Sequence, residues 1–329
     1  VGLFGATSKE ALLTDISLTG MTITGEENVG GVVGLNLGTI RAATASGDVT
    51  GSGGFNTGGV VGFAGNESLI QNATASVSVT GTNATGGLVG NNRGMIQTAT
   101  ASEEVSGANA TGGLVGFANN ASTITTAEAS GSVTGSSAVG GVVGNNHGTI
   151  QTATASGDVS SSGRINVAGL VGFADNQSDI QNVTATGDVD GPDLVGGLVG
   201  QSRGTITDAT ASGDITGTDN VGGLVGLVDN KGIILNSTAS GSVSGESDVG
   251  GAIGDNEGKA RNVRASGDTN GETFVGGLVG ELNNGTIQNA TASGDVSGGN
   301  STGGLVGFVD EPSTVQQTTA SGSVNGLSA

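Results

Sequence analysis

Apolar residues along this chain fall in short clusters at fixed places, separated by glycine, asparagine, threonine and serine. The clearest cluster is Leu88-Val89 within Thr85-Gly86-Gly87-Leu88-Val89-Gly90. Marked by their last glycine, its copies end at Gly5 (in the looser form Val1-Gly2-Leu3-Phe4-Gly5), Gly34, Gly62, Gly90, Gly116, Gly144, Gly172, Gly200, Gly226, Gly254, Gly280 and Gly307. Successive steps are 29, 28, 28, 26, 28, 28, 28, 26, 28, 26 and 27 residues. A fixed period of this size marks a solenoid, one array of any length, and not a pair of globular domains. Each copy is followed by an isoleucine in a Gly-Thr-Ile-like step, then Ala-Thr-Ala-Ser, then Gly-Asp-Val-Thr-Gly. Residues Gly86 to Gly107 hold one such unit.

This pattern predicts three short strands per coil. They centre on Leu-Val, on the isoleucine running towards Ala-Thr-Ala-Ser, and on the valine of Gly-Asp-Val. Val, Ile and Thr suit a pleated, half-buried surface, while Gly and Asn mark corners. Corners need φ > 0 or close backbone approach, which glycine tolerates; Asn tolerates the left-handed region. The expected fold is all-β: a repeat solenoid, a right-handed parallel β-helix of about twelve coils of 26–29 residues. At ~4.8 Å per coil it makes a rod roughly 55–60 Å long. Residues 1–25 form a divergent first coil or N-terminal cap, in which Ser8-Lys9-Glu10-Ala11-Leu12-Leu13 is a loop or one helical turn covering the first coil, or a remnant of an upstream domain; residues 26–329 are the regular array. The inward face of Ala-Thr-Ala-Ser stays open, because a bend at its start would flip the register.

A second period runs inside the first. The residue after the last glycine is Phe63, Asn91, Phe117, Asn145, Phe173, Gln201, Leu227 and then Asp255. Coils with Phe or Leu there carry F-x-x-N and reach Ala-Thr-Ala-Ser two residues later than coils with N-x-x-G. The unit is then a pair of coils of 54–56 residues, and Phe either covers the edge of its shorter neighbour or is a relic of duplication. Six such pairs would also suit a six-bladed β-propeller, but the periodic aromatic motifs of propellers are missing.

G-L-apolar-G followed by N-x-G-T-I and A-T-A-S-G-D-V resembles the GLUG-motif repeat of bacterial and archaeal surface proteins, over nearly the whole chain from about Val29. The resemblance implies an adhesin-like surface protein or an accessory region of a secreted peptidase. The peptidase chemistry needs H-E-x-x-H, and the chain has one histidine, His147.

Composition narrows this further. Glycine is 67 of 329 residues without a G-X-Y period, and Pro is 2, so collagen is excluded. With no Trp, no Tyr and seven Phe, the core must be narrow and aliphatic. There is no cysteine to form a disulfide. No apolar run approaches the ~20 residues that span a bilayer. Val1 falls inside a repeat motif, so the chain reads as a fragment or a processed form. The net charge of −20, from 29 acidic and 9 basic residues, argues against nucleic acid. It fits either solubility or adaptation to high salt, where screening removes self-repulsion.

Three sets of residues are candidate sites. The Thr of Ala-Thr-Ala-Ser recurs as Thr44, Thr74, Thr100, Thr154, Thr184, Thr210, Thr238, Thr291 and Thr319, with Glu128 and Arg264 replacing it in two coils. Stacked, these make either a plain β-branched ladder or a flat ligand face for polysaccharide or ice. The acidic position of Ser-Gly-Asp-Val recurs as Asp48, Glu104, Asp158, Asp188, Asp214, Asp268 and Asp295, with Ser78, Ser132, Ser242 and Ser323 elsewhere. Its carboxylates would repel one coil apart, a repulsion that bound Ca²⁺ or monovalent cations would relieve, although the nonapeptide calcium pattern is missing. Asn-x-Ser/Thr glycosylation patterns begin at Asn66, Asn72, Asn83, Asn109, Asn120, Asn176, Asn182, Asn236, Asn284, Asn289 and Asn300; Asn66, Asn120 and Asn176 lie in corner loops.

No cofactor, metal or catalytic residue is implied. A polysaccharide-cleaving β-helix would show paired carboxylates at a break in the repeat. The breaks, at Arg164, Pro192-Asp193, Arg264 and Asp310-Glu311-Pro312, are scattered. The expected job is mechanical: an extracellular, cell-surface stalk or filament that is adhesive or carries an adhesive element. Its partner is another copy of itself or another surface component. A ligand-binding threonine face is the alternative, and a polysaccharide-active enzyme comes third.

Overall fold

Alternating buried and exposed residues in short runs build one repeated coil, seen in a computed structural model that describes residues 1–327, the side chain of Arg164 excepted. The coil has four strands, not three. In one turn they are Val89–Asn92, Met95–Ala101, Val105–Ser106 and Asn109–Gly112. The fourth strand precedes the Gly-Leu corner, where no apolar cluster announces it. Gly87-Leu88 is itself the corner, and the first strand starts at the following valine.

Strands pair in parallel with their counterparts one coil away. The first strands form a twelve-stranded sheet in sequence order, and the other strands belong to a second, 32-stranded sheet. The register is held residue by residue: Val89 faces Val115, Val115 faces Val143 and Val143 faces Val171. Hydrogen bonding continues through the corners, where the Leu88 N–H donates to the Leu114 carbonyl at 2.9 Å. Parallel stacking along one axis excludes the six-bladed propeller. Among the described residues there is no helix.

Two aliphatic cores lie inside the stack, the larger along its length and the smaller from Val133 to Val296. The larger lies between the first and second strands and holds Leu88, Val89, Ile96, Ala99 and Ala101 with their counterparts. Fully burying one Val, Leu or Ile side chain contributes about 1.5–3 kcal/mol, so each coil gains most of its cohesion here. The smaller is a valine zipper between the third and fourth strands, for example Val133 with Val139 and Val159 with Val167.

The zipper has a fault in the early coils. Val139 faces Thr111, which faces Thr85. Both threonines are fully buried and their hydroxyls have no partner. A buried hydroxyl without a hydrogen bond costs roughly 1–3 kcal/mol. Replacing Thr85 and Thr111 by Val, the residue of the later coils, should therefore raise stability by about 1 kcal/mol each. Urea denaturation of the double variant checks this, and an unchanged or lower midpoint refutes it.

Left-handed residues fall in places the sequence did not mark. The corner asparagines Asn36, Asn92, Asn146 and Asn256 are not left-handed, although Asn284 is (54°). Instead Asn92 is buried and its side chain closes the corner: it accepts from the Gly94 N–H at 3.1 Å and donates to the Gly94 carbonyl at 3.2 Å. Positive φ occurs inside the second strand, as at Thr98 (55°) and Asn182 (51°), and inside the fourth, as at Asn56 (44°) and Asn220 (52°). Asn and Asp recur at these bends because they enter the left-handed region at least cost. The bend in the second strand resolves the open register: Ile96, Ala99 and Ala101 all point inward, and Thr100 points out.

The divergent first residues are a coil of the same solenoid. Leu12–Gly30 pairs in parallel with Thr39–Gly58. Ser8 to Leu13 forms no helical turn; a reverse turn is closed by the Ala11 N–H on the Ser8 carbonyl at 3.1 Å. It leaves Leu12 57% exposed.

Candidate functional site

The threonine ladder is real as geometry. Thr44, Thr74 and Thr100 align in adjacent coils, as do Thr154, Thr184, Thr210 and Thr238, and then Thr291 with Thr319. Glu128 and Arg264 occupy the same column and interrupt it. None of the nine threonines is buried.

The acidic column acts as a chain of caps. The Asp188 N–H donates to Asp158 Oδ1 at 3.0 Å, and the Asp214 N–H to Asp188 Oδ1 at 2.9 Å. Ser242 ends this run, donating both its N–H and its hydroxyl to Asp214 Oδ1 at 3.0 and 2.6 Å. The Ser242 hydroxyl first, then its N–H, holds the Asp214 carboxyl below the usual carboxylate range. Asp268, Asp295 and Ser323 repeat the device. Asp158, Asp188, Asp214, Asp268 and Asp295 thus each accept from a backbone donor of the next coil, a role that the cation-site reading did not contain. Among the described residues no group of three or more His, Cys, Asp or Glu could hold a metal ion.

Phenylalanine does cover the edge of the next coil. The Arg93 guanidinium lies 5.1 Å from the Phe63 ring centre and Arg203 lies 5.3 Å from Phe173. The His147 ring is 5.0 Å from Phe117. A carboxylate one coil further on completes two of these stacks: His147 Nδ1 lies 2.7 Å from Asp175 Oδ2, and Arg203 Nε 2.8 Å from Asp229 Oδ2. In Phe coils the corner gains two residues and ends on a buried serine, Ser68, Ser122 or Ser178. The signal for these was a Ser five positions after each Phe.

That serine bears on the glycosylation patterns. Asn66, Asn120 and Asn176 are exposed, but Ser68, Ser122 and Ser178 of their acceptor triplets are buried. Thr85 and Thr111, in the triplets of Asn83 and Asn109, are buried too. By contrast Asn72, Asn182, Asn236 and Asn289 are exposed beside Thr74, Thr184, Thr238 and Thr291 of the ladder. Asn284 and Asn300 are exposed as well.

The alternation of Phe and Asn ends in an acidic patch. Asp255 takes the column of Asn91 and Asn145, and Glu281 faces it from the next coil. Burial, then Glu281, Glu257 and Asp248, push the Asp255 carboxyl up to about 7. Burial, then Glu281 and Asp219, push Asp248 up to about 6. Glu257 and Glu281 are raised as well, each by burial first and then by neighbouring carboxylates. The breaks do not gather into a site: Pro192-Asp193, Arg264 and Asp310-Glu311-Pro312 lie in separate coils, and the Arg164 side chain is outside the described residues.

A family model described as the GLUG motif matches residues 25–50, 163–190, 191–216, 217–244 and 273–297. Each match runs from the start of a fourth strand, through the first and second, to a third, and so spans one coil. No curated protein and no solved structure matches the chain.

Proposed function

This chain belongs to the GLUG-repeat family, and we propose that its array is the stiff structural or adhesive part of an extracellular surface protein, a stalk or filament. The supporting observation is the unbroken register of its twelve stacked first strands. Every interior coil is bonded to both neighbours, so bending the rod must shear several ladders together, and stability accumulates coil by coil. The halophilic reading rests on the net charge of −20, whose self-repulsion molar salt would screen.

Electron microscopy and limited proteolysis, each in dilute buffer and in molar KCl, test the proposal. The expected result is straight, protease-resistant rods, roughly 55–60 Å long by the coil spacing, or filaments that are multiples of them. Particles without a rod shape would refute the stalk, and monodisperse single rods in both salts would refute the filament.

A ligand face on the threonine ladder is the second reading, favoured by its register and weakened by Glu128 and Arg264. It requires binding to a crystalline polysaccharide or to ice that is lost when Thr154 and Thr184 are changed to Lys.

A further inference from the structure

Between the outward residues of the first and fourth strands lies a trough of about 520 Å³, bordered by Phe55, Asn83, Arg93, Asn109 and Phe117. In a chain with 29 acidic and 9 basic residues, its lining holds one cation and no carboxylate. That cation differs from its counterparts. His147 and Arg203 each meet an aspartate from the next coil, whereas the residue corresponding to those aspartates above Arg93 is Asn119. Arg93 rests on the Phe63 ring and, among the described residues, no carboxylate pairs with it. Glu67, in the hollow on the other side of Arg93, is held by Lys9 at 3.2 Å.

The rest of the trough is equally specific. Asn109 Nδ2 donates to Asn83 Oδ1 and Asn83 Nδ2 to the Gly54 carbonyl, both at 2.7 Å. A primary amide has two donor hydrogens and two acceptor lone pairs, so each Asn keeps hydrogen-bonding capacity for a ligand. Phe55 is 59% exposed and Phe117 is half-buried. Strand N–H and carbonyl groups are used between coils, so the flank of the rod offers no free edge to which a peptide could add as a strand. Recognition there must come from side chains: aromatic faces, a row of amides at about 4.8 Å per coil and one guanidinium.

We propose that this trough binds a carboxylate-bearing oligosaccharide, of uronate type, laid along the rod. The apolar faces of the sugar rings rest on Phe55 and Phe117, hydroxyls meet Asn83 and Asn109, and the carboxylate pairs with Arg93, whose planar fork suits it. The site is independent of the stalk reading, since rods can form with or without it.

The probe is a short oligogalacturonate, titrated by calorimetry into the full chain at low and moderate salt. Its carboxyl-reduced, neutral form is the control ligand. A charged hydrogen bond contributes about 1.5–3 kcal/mol, so Arg93→Gln should weaken binding by roughly tenfold or more. Phe55→Ala should weaken it several-fold, the neutral form should bind as poorly to wild type as the uronate does to Arg93→Gln, and Arg203→Gln should change nothing. Both trough side chains are exposed, and matching circular dichroism spectra establish that the variants are folded. The proposal is overturned if wild type fails to bind at millimolar uronate, if the neutral form binds equally, if neither Arg93→Gln nor Phe55→Ala weakens binding, or if an oligo-aspartate peptide competes as well as the uronate does.

Discussion

Replacing Gly144 with alanine should break the rod near its middle. A Cβ there would lie 2.5 Å from both the Ala110 carbonyl carbon and the Thr111 nitrogen, and 2.8 Å from the Ala138 carbonyl oxygen. All three are backbone atoms of fourth strands, on which the first strand rests with no side chain between. No rotamer change can relieve such contacts. Overpacking a well-filled interior typically costs 1–3 kcal/mol, and a clash with three fixed backbone groups should cost about 3 kcal/mol or more. Because coils contact only their neighbours, the loss should appear locally, as separate unfolding of the two halves. Gly5 provides the control: it occupies the same motif position in the first coil, yet an added Cβ meets nothing within 4 Å. Hydrogen exchange and urea unfolding should show Gly5→Ala unchanged and Gly144→Ala split into two transitions. A single transition within 0.5 kcal/mol of wild type would disprove the backbone-contact account.

Acidifying the protein from pH 8 to pH 5 should tighten the coils around Asp255, and Asp255→Asn should weaken that response. The Asp255 carboxyl is raised to about 7 in the folded chain, against about 3.9 when unfolded. Between those values the folded state holds a proton that the unfolded state has lost. Stability therefore rises as pH falls from about 7 towards about 4, and it is flat above 7. Asn91, Asn145 and Gln201 occupy the same column in other coils, so the amide is already compatible with the site. Each pKa unit corresponds to 1.36 kcal/mol, and partial solvent screening reduces the total to about 2 kcal/mol. The readout is amide exchange in Ile253–Asn256 and Val279–Leu282 as a function of pH. Asp248, Glu257 and Glu281 also titrate upward, so a reduced slope should survive in the variant. A wild-type slope of opposite sign, or no difference between the two proteins at pH 8, would refute the assignment.

Much of the architecture was legible because a solenoid states its fold many times. The 26–29-residue period fixed the coil, and Leu88, Val89 and Ile96 announced the core as isolated apolar clusters among polar residues. The threonine column followed from the period alone. The fourth strand was hidden because its inward residue is a lone valine or threonine, such as Val139 or Thr111, beside glycines that read as a turn. The acidic column was legible as a column but not as a set of caps, since a hydrogen bond from one coil to the next depends on backbone direction.

The sequence by itself determined the all-β class, the narrow aliphatic core, the acidic surface and the stacking of like residues, because hydrophobic spacing and repeat length constrain those directly. Only the tertiary structure decided which way the chain bends inside a strand. Positive φ at Thr98 turns both Ala99 and Ala101 inward, and no local propensity at a threonine foretells that. It also decided that the glycines of the Gly-Gly-Leu-Val-Gly motif are required by backbone contact between strands and not by left-handed corners, a fact set by neighbours about one coil away. Likewise, Arg93 is singled out from His147 and Arg203 only once the next coil is stacked above it, for the aspartate that it lacks belongs to another turn of the chain.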